Sequence, residues 1–400
     1  MRKTLFGIFL LALLLRILVV VLGIGFDQGL TFFDARDYDR HALNLLSGKG
    51  LTNGTAWASR PPLYPLFLAG IYRCVGHSYL AVRLIQSFLG ALVIFLVYGI
   101  LRVYFSKKVS VLTAFLTACH PLLIVYAGNI LSETLSQFFL ALFLTVFLRG
   151  KGPVAAWGGG ALFGLLLLCR ASLIFFLPFV VFHMLRDKKN SAALFGFVMS
   201  MSLVLSPWIV RNDRLLHHVV PFTTNGGTTF WDANNPESLE ADKIGLASRW
   251  EMPGKVIKKE DGQEILLSEV QGDRYLFKKG IFFLRDLLKE RPLLFCYFFL
   301  RKALAAFSLH SGKGAAALFG FALLYGVLLP IGLWRSGCLE RKPVLLYGLI
   351  LQYLLCSLIF FGRAKYRLVI EPYLMVFVVL GCIESWSSFK KACKDCWSDC

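Results

Sequence analysis

Apolar residues gather along this chain into long blocks separated by short polar connections. The blocks fall at roughly 4–26, 79–104, 109–127, 130–149, 154–170, 171–186, 191–210, 314–334, 343–361 and 368–386. A helix crosses hydrocarbon with about 20 consecutive apolar residues, and most of these blocks approach or reach that length. The pattern predicts an all-α polytopic membrane protein with about ten transmembrane helices. The first block runs into Asp27 without a small-x-small cleavage pattern, so it is read as a retained helix. No repeat of fixed period is visible.

Two segments, 27–78 and 211–313, are too long to be simple turns. Within the first, 62–76 is apolar but short and contains Pro62 and Pro65, which predicts a helix lying in the interface. Within the second, Arg301 and Lys302 interrupt the apolar window 291–309, which predicts an interfacial or re-entrant helix on the same side. Basic residues then set the orientation. Arg2 with Lys3, Lys107 with Lys108, Arg149 with Lys151, Arg186 with Lys188 and Lys189, Arg335 with Arg341 and Lys342, and Lys390 with Lys391 occupy alternate connections. By the positive-inside rule both termini are cytoplasmic and the two long segments face outward. A membrane module over 1–386 and a cytoplasmic tail over 387–400 follow.

Composition removes the soluble alternatives. Hydrophobic residues make up 57% and charged residues 17% of the 400 positions, and the mean hydropathy is +0.65. The net charge of +19 does not point to nucleic acid, because the cations punctuate the apolar blocks and form no basic domain. Most of the ten cysteines sit singly in apolar blocks, as small buried hydrophobes do. Cys393, Cys396 and Cys400 could take zinc or a lipid, yet no fourth ligand stands nearby, and a plain tail is the simpler reading.

Candidate chemistry concentrates on the outer side. Asp34, Asp37 and Asp39 lie directly beyond the first block, with Tyr38 among them. In a helix Asp34 and Asp37 share a face, where one can accept a proton while the other supports an acceptor or metal. A solvated acid cluster with Asp34 as a helix cap is the alternative. Arg60 precedes Pro61 and Pro62, whose rings fix an extended entry, and its planar fork matches phosphate oxygens. Snorkelling to headgroups is equally natural for it. Glu133 opens an apolar block after a very short outer turn and is either a site residue or a helix cap. His120 reads as a packed residue beside Pro121, and Arg170 as a snorkelling one that could also face the same cavity.

Further along, Arg211, Asn225, Trp231 and Asn234 stand in a stretch rich in Gly, Trp, Asn and Thr, groups that stack on and hydrogen-bond to sugars. Such a stretch also suits an ordinary turn-rich loop. Arg363, Lys365, Tyr366 and Arg367 form a basic cluster that the topology puts outside, against the charge trend. An anion such as a carrier phosphate accounts for it; a shift of one crossing would make it a cytoplasmic anchor instead.

Together these residues resemble the membrane glycosyltransferases of the C-type fold, especially the protein O-mannosyltransferases and the aminoarabinose transferase of lipid A. The resemblance runs from Asp34 to Pro372 and rests on the acidic first outer loop ending in Arg60-Pro61-Pro62, on Glu133, on the Pro207-Trp208 to Arg211-Asn212 junction, on the Asn-Gly-Gly and Asn-Asn-Pro run, and on Arg367-Leu368-Val369 to Pro372. It implies transfer, with inversion, of a sugar from a polyisoprenyl-phosphate donor to a lipid, glycan or protein acceptor at the periplasmic face of an inner membrane. It also implies catalytic acids at Asp34, Asp37 and Glu133, and phosphate contacts from Arg60 and from the 363–367 cluster. Tyr38, Arg211, Asn225, Trp231 and Asn234 are then the expected sugar or acceptor contacts. No cofactor is required by these residues, and a divalent metal stays an open alternative. The rival from another class is a transporter or flippase for lipid-linked sugars, which should show paired half-repeats or broken helices with charges near the membrane midplane. Neither is seen.

Overall fold

The structure is a computed structural model that describes residues 2–23, 30, 32–186, 191–240, 256–260, 263–307, 322–360, 362 and 364–398. Helix α1 spans Arg2–Leu22, α2 Phe33–Leu46, α3 Leu63–Val75, α4 Tyr79–Leu101, α5 Lys107–Cys119, α6 Pro121–Ala127, α7 Glu133–Arg149 and α8 Gly152–Cys169. A 3-10 segment, Ala171–Phe176, leads into α9, Leu177–Arg186, followed by α10, Ser191–Leu216, α11, Gly226–Ala233, and α12, Pro236–Glu240. A two-stranded antiparallel hairpin, β1 Ile257–Glu260 and β2 Gln263–Leu266, precedes α13, Glu269–Glu290, and α14, Pro292–Ala306. A π-helical stretch, Ala322–Leu328, opens α15, Leu329–Gly337, and the chain continues as α16 Val344–Ile359, α17 Ala364–Arg367 and α18 Glu371–Ser398.

Among the described residues, four helices are long and apolar enough to cross a membrane: α1, α4, α8 and α10. A fifth arises if α5 and α6 count as one span bent by 52°. Fewer helices than apolar blocks meet that test, because several blocks are broken or short. Pro121 has no N–H to continue α5, so the helix stops at His120, whose Nδ1 accepts the Leu123 N–H at 3.4 Å and starts α6. The predicted span 171–186 begins as six 3-10 residues, and α7 and α16 are 17 and 16 residues long. The two predicted short helices form as α3 and α14. At about 1.5 Å per residue, the 13 residues of α3 reach only some 20 Å.

The hairpin and α13 have no counterpart among the apolar blocks, since their apolar positions are spread at helical or strand spacing between charges. Ser268 and Gln271 form a capping box that starts α13.

Helices α7, α8 and α10 share an aromatic cluster in which Phe143 lies 5.1 Å from Phe163 and Phe163 5.9 Å from Phe197. Small residues bring α8 against α10: a Cβ at Gly160 would run into the Phe197 carbonyl and the Ser200 hydroxyl, and one at Gly164 would come within 3.0 Å of Val204. Arg16, fully buried in α1, meets two backbone carbonyls, Ala12 O at 2.9 Å and Ala118 O at 3.4 Å. Such a cation in a spanning helix is tolerated because it finds internal acceptors.

Gly160→Ala should force α8 from α10 and lower stability by about 1–3 kcal/mol, the usual range for overpacking. Gly158→Ala, where the added methyl meets only Val146 at 3.6 Å, should be nearly neutral. Thermal unfolding of both variants in detergent checks this, and equal midpoints would overturn the tight crossing.

Candidate active site

Helix α2 begins at Phe33, so Asp34 enters its first turn and Asp37 and Tyr38 follow on the same face. Arg60 arrives opposite them from the proline-stiffened entry to α3. Its Nη2 donates to Asp34 Oδ1 at 2.7 Å, its Nε donates to Asp37 Oδ2 at 2.6 Å, and its guanidinium lies 5.3 Å over the Tyr38 ring. Lys365, from the single turn α17, donates to the other Asp34 oxygen at 2.6 Å. Asp34 is thus held between two cations from opposite ends of the chain. Burial by itself would raise the Asp34 carboxyl, but Arg60 and Lys365 outweigh it and hold the group well below the usual carboxylate range. Burial lowers the Arg60 and Lys365 cations, and nearby negative groups, Asp34 among them, more than reverse this in both. Burial also pushes the Tyr38 hydroxyl up to about 12.

These groups open on a cavity of 370 Å³. Glu133, in the first turn of α7, faces it because the preceding turn is fixed from α4: Gln86 Nε2 donates to Ala127 O at 3.1 Å and Asn129 O at 2.7 Å, and Arg83 Nε donates to Gly128 O at 3.0 Å. Tyr64 of α3 completes that support by donating to Gln86 Oε1 at 2.7 Å. Arg170, at the end of α8, reaches Glu133 Oε1 at 3.4 Å and lies 5.1 Å over the Tyr366 ring. The remaining wall is largely apolar, with Leu131, Leu173, Phe175, Phe222, Phe360 and Ile370. Three buried oxygens on this wall, Ser59 Oγ, Glu133 Oε2 and Asn225 Oδ1, have no hydrogen-bond partner among the described residues. Burying a polar atom unpaired costs about 1–3 kcal/mol, so a ligand with hydroxyl donors is the natural complement. Among the described residues no three His, Cys, Asp or Glu side chains converge as a metal site.

The expected site residues divide clearly. Asp34, Tyr38, Arg60, Glu133, Asn225, Lys365 and Tyr366 line the cavity. Asp37 stands behind Arg60, where it also accepts Asn53 Nδ2 at 2.7 Å. Arg367 turns away: it is fully buried, donates to Glu371 at 2.8 Å and to Ala306 O at 3.1 Å. Two residues apart on a helical turn, Lys365 and Arg367 cannot face the same way. Arg211 stacks 4.7 Å from the Trp208 ring and holds the carbonyls of Trp57 at 2.9 Å and Leu51 at 2.6 Å. Asn234 is buried between Ile359 O at 2.9 Å and the Lys302 ammonium at 2.6 Å. Trp231 carries Lys279 at 4.3 Å over its ring and is not among the cavity-lining residues. Arg363 lies outside the described residues, as does Cys400. His120, read as a packed residue, stands 3.3 Å from Glu371, a pairing across the fold that local spacing could not signal. Ser59 was not singled out by sequence, and Arg170 stood there chiefly as a snorkelling residue; an arginine closing an apolar block was its available signal.

The family model described as dolichyl-phosphate-mannose-protein mannosyltransferase matches residues 59–210, less than half of the chain. No curated protein matches the sequence. Among solved structures, the Archaeoglobus fulgidus oligosaccharyltransferase tethered with an acceptor peptide aligns over 96% of this chain and 50% of its own, with TM-score 0.53 and 14% identity. The same archaeal enzyme, AglB, in complex with an inhibitory peptide and a dolichol-phosphate aligns over 99% and 51%, with TM-score 0.53 and 13% identity. ArnT from Cupriavidus metallidurans bound to undecaprenyl phosphate aligns over 88% and 73%, with TM-score 0.41 and 13% identity. The chain spans about half the length of the archaeal enzyme. The archaeal matches carry the assignment: this is a polytopic membrane protein of the C-type glycosyltransferase fold.

The Asp34 pairing sets a pH dependence. A depressed carboxyl contributes stability above its unfolded pKa of about 4, lost as pH falls through the lower folded value. Infrared difference spectra between the wild type and Asp34→Asn should therefore show an ionised carboxylate that persists below pH 4. Titration at or above about 4 would show that the cations do not hold it.

Proposed function

We propose that the protein transfers a sugar from a polyisoprenyl-phosphate carrier to a lipid, glycan or protein acceptor, at the outer face of the inner membrane and with inversion. The observation that carries this reading is the cavity itself, in which Arg60, Arg170 and Lys365 surround a space walled by apolar side chains and by three oxygens that have no partner among the described residues. Phosphate, prenyl chain and sugar hydroxyls are the three chemistries such a wall complements. The matched family description names a dolichyl-phosphate sugar, and a dolichol-phosphate is bound in one archaeal structure of the same fold.

In this mechanism the acceptor oxygen attacks the anomeric carbon as the bond from that carbon to the carrier phosphate breaks. The electron pair leaves with the phosphate, where Arg60, Lys365 and Arg170 offset the growing charge. The acceptor's proton passes to a carboxylate, for which Asp34 is the first candidate and Glu133, with one free oxygen, the second. Asp34 is the counter-anion of Arg60 and Lys365. A carrier phosphate would compete for those cations, and Asp34, so released, would become a better base as the transferable sugar arrives.

This reading makes two opposed predictions for one variant. Asp34→Asn removes a proton acceptor, so turnover should fall by roughly 10²-fold or more. It also removes the internal competitor for Arg60 and Lys365, so a polyprenyl phosphate should bind more tightly, by several-fold. Lys365→Ala should weaken the same binding. Donor titrations of purified variants in lipid measure both quantities, and weaker carrier binding by Asp34→Asn would sink the competition.

A further inference from the structure

Glu269 opens α13, far along the chain from Arg60, and does not line the cavity. Its carboxylate is buried and receives three donors. Oε2 accepts the Trp57 N–H at 2.7 Å, Oε1 accepts the Ala58 N–H at 2.9 Å, and the Thr224 hydroxyl donates to Oε1 as well. The carbonyls of the same two residues are held from the second outer segment: Trp57 O by Arg211 at 2.9 Å and Ala58 O by the Thr224 N–H at 2.9 Å. Residues 57–58 belong to no helix or strand, so no hydrogen-bond ladder of their own fixes them. Two residues later comes Arg60.

We infer that Glu269 is a positioning residue for the carrier phosphate, acting through residues 57–58 to hold Arg60 at the cavity. This rests on the phosphate reading above. The same carboxylate accepts from Thr224, whose neighbours Thr223 and Asn225 also line the cavity, so one buried group ties two lining segments together. A carboxylate suits the task because both oxygens accept. An amide in its place would turn an N–H₂ toward a peptide N–H, so Glu269→Gln keeps shape and loses one of the two backbone contacts.

A double-mutant cycle separates positioning from general stability. Binding of a radiolabelled short-chain polyprenyl phosphate is measured for the full-length protein in phosphatidylcholine nanodiscs, with Glu269→Gln, Arg60→Ala and the double variant. Glu269→Gln should weaken binding about tenfold, and in the Arg60→Ala background it should do almost nothing further, because its route to the phosphate is gone. Losses that multiply in the double variant, or a Glu269→Gln that binds as the wild type does, overturn the positioning role. Unchanged binding in Arg60→Ala is a different result: it overturns the phosphate reading and the positioning role with it. If Glu269→Gln does not fold, Thr224→Val takes its place in the cycle. It removes one donor from the carboxylate and leaves both peptide contacts, and a smaller loss that vanishes in the Arg60→Ala background is expected.

Discussion

A carboxylate in a poorly solvated place stays charged only if cations accompany it, and Asp34 has two, Arg60 at 2.7 Å and Lys365 at 2.6 Å. The triad joins the segment that follows α1 to the one that precedes α18, so positions far apart in the chain meet at one point. Removing one partner leaves an uncompensated charge in a poorly solvated place, which is more costly than the pair was stabilising. The surrounding elements can be understood by what they do for that meeting. Asp37, itself held by Asn53, accepts from Arg60 behind the site, and Tyr38 lies under its guanidinium.

Most charged groups at the cavity come from element ends. Asp34 and Glu133 occupy first helical turns, Arg170 follows the last residue of α8, and Lys365 sits in a four-residue turn. A helix interior in a membrane has its backbone satisfied and its side chains facing lipid or neighbours, whereas its ends bring polar backbone and charge together where water or ligand can enter. The short and broken helices therefore belong to the same design as the site. A 16- or 17-residue helix places its end near the level of a pocket, as Glu133 of α7 and Ser357 of α16 do.

The segment between α10 and α15 contributes less charge to the cavity and more alignment. Arg211, Thr224 and Glu269 between them occupy the peptide groups of 57–58, and Asn234 with Lys302 occupies the carbonyls of Leu358 and Ile359 just before the loop that leads to Lys365. Residues that looked like sugar contacts thus hold the backbone behind the cations. Polar side chains near a site are ambiguous in this way, because an Asn or Arg that binds a ligand and one that caps a helix end have the same composition around them.

Much was legible in the order of residues. Apolar blocks of membrane length, the alternation of basic connections, and the placement of Asp34, Arg60, Glu133 and the 363–367 cluster along the chain follow from the solvent the chain must satisfy and from the cost of charge near lipid. Those constraints act locally, so a sequence records them. Which member of a cluster faces the cavity was decided elsewhere. Lys365 points in and Arg367 points out because two positions on a helix lie roughly half a turn apart and because Glu371 stands where Arg367 can reach it. Arg60 meets Asp34, Asp37 stands behind it, and Glu269 grips residues 57–58 only after packing brings segments together that are far apart in the chain. Periodicity and spacing carry no information about that approach, since the partners of a charge across a fold are chosen by tertiary geometry and not by neighbours in sequence.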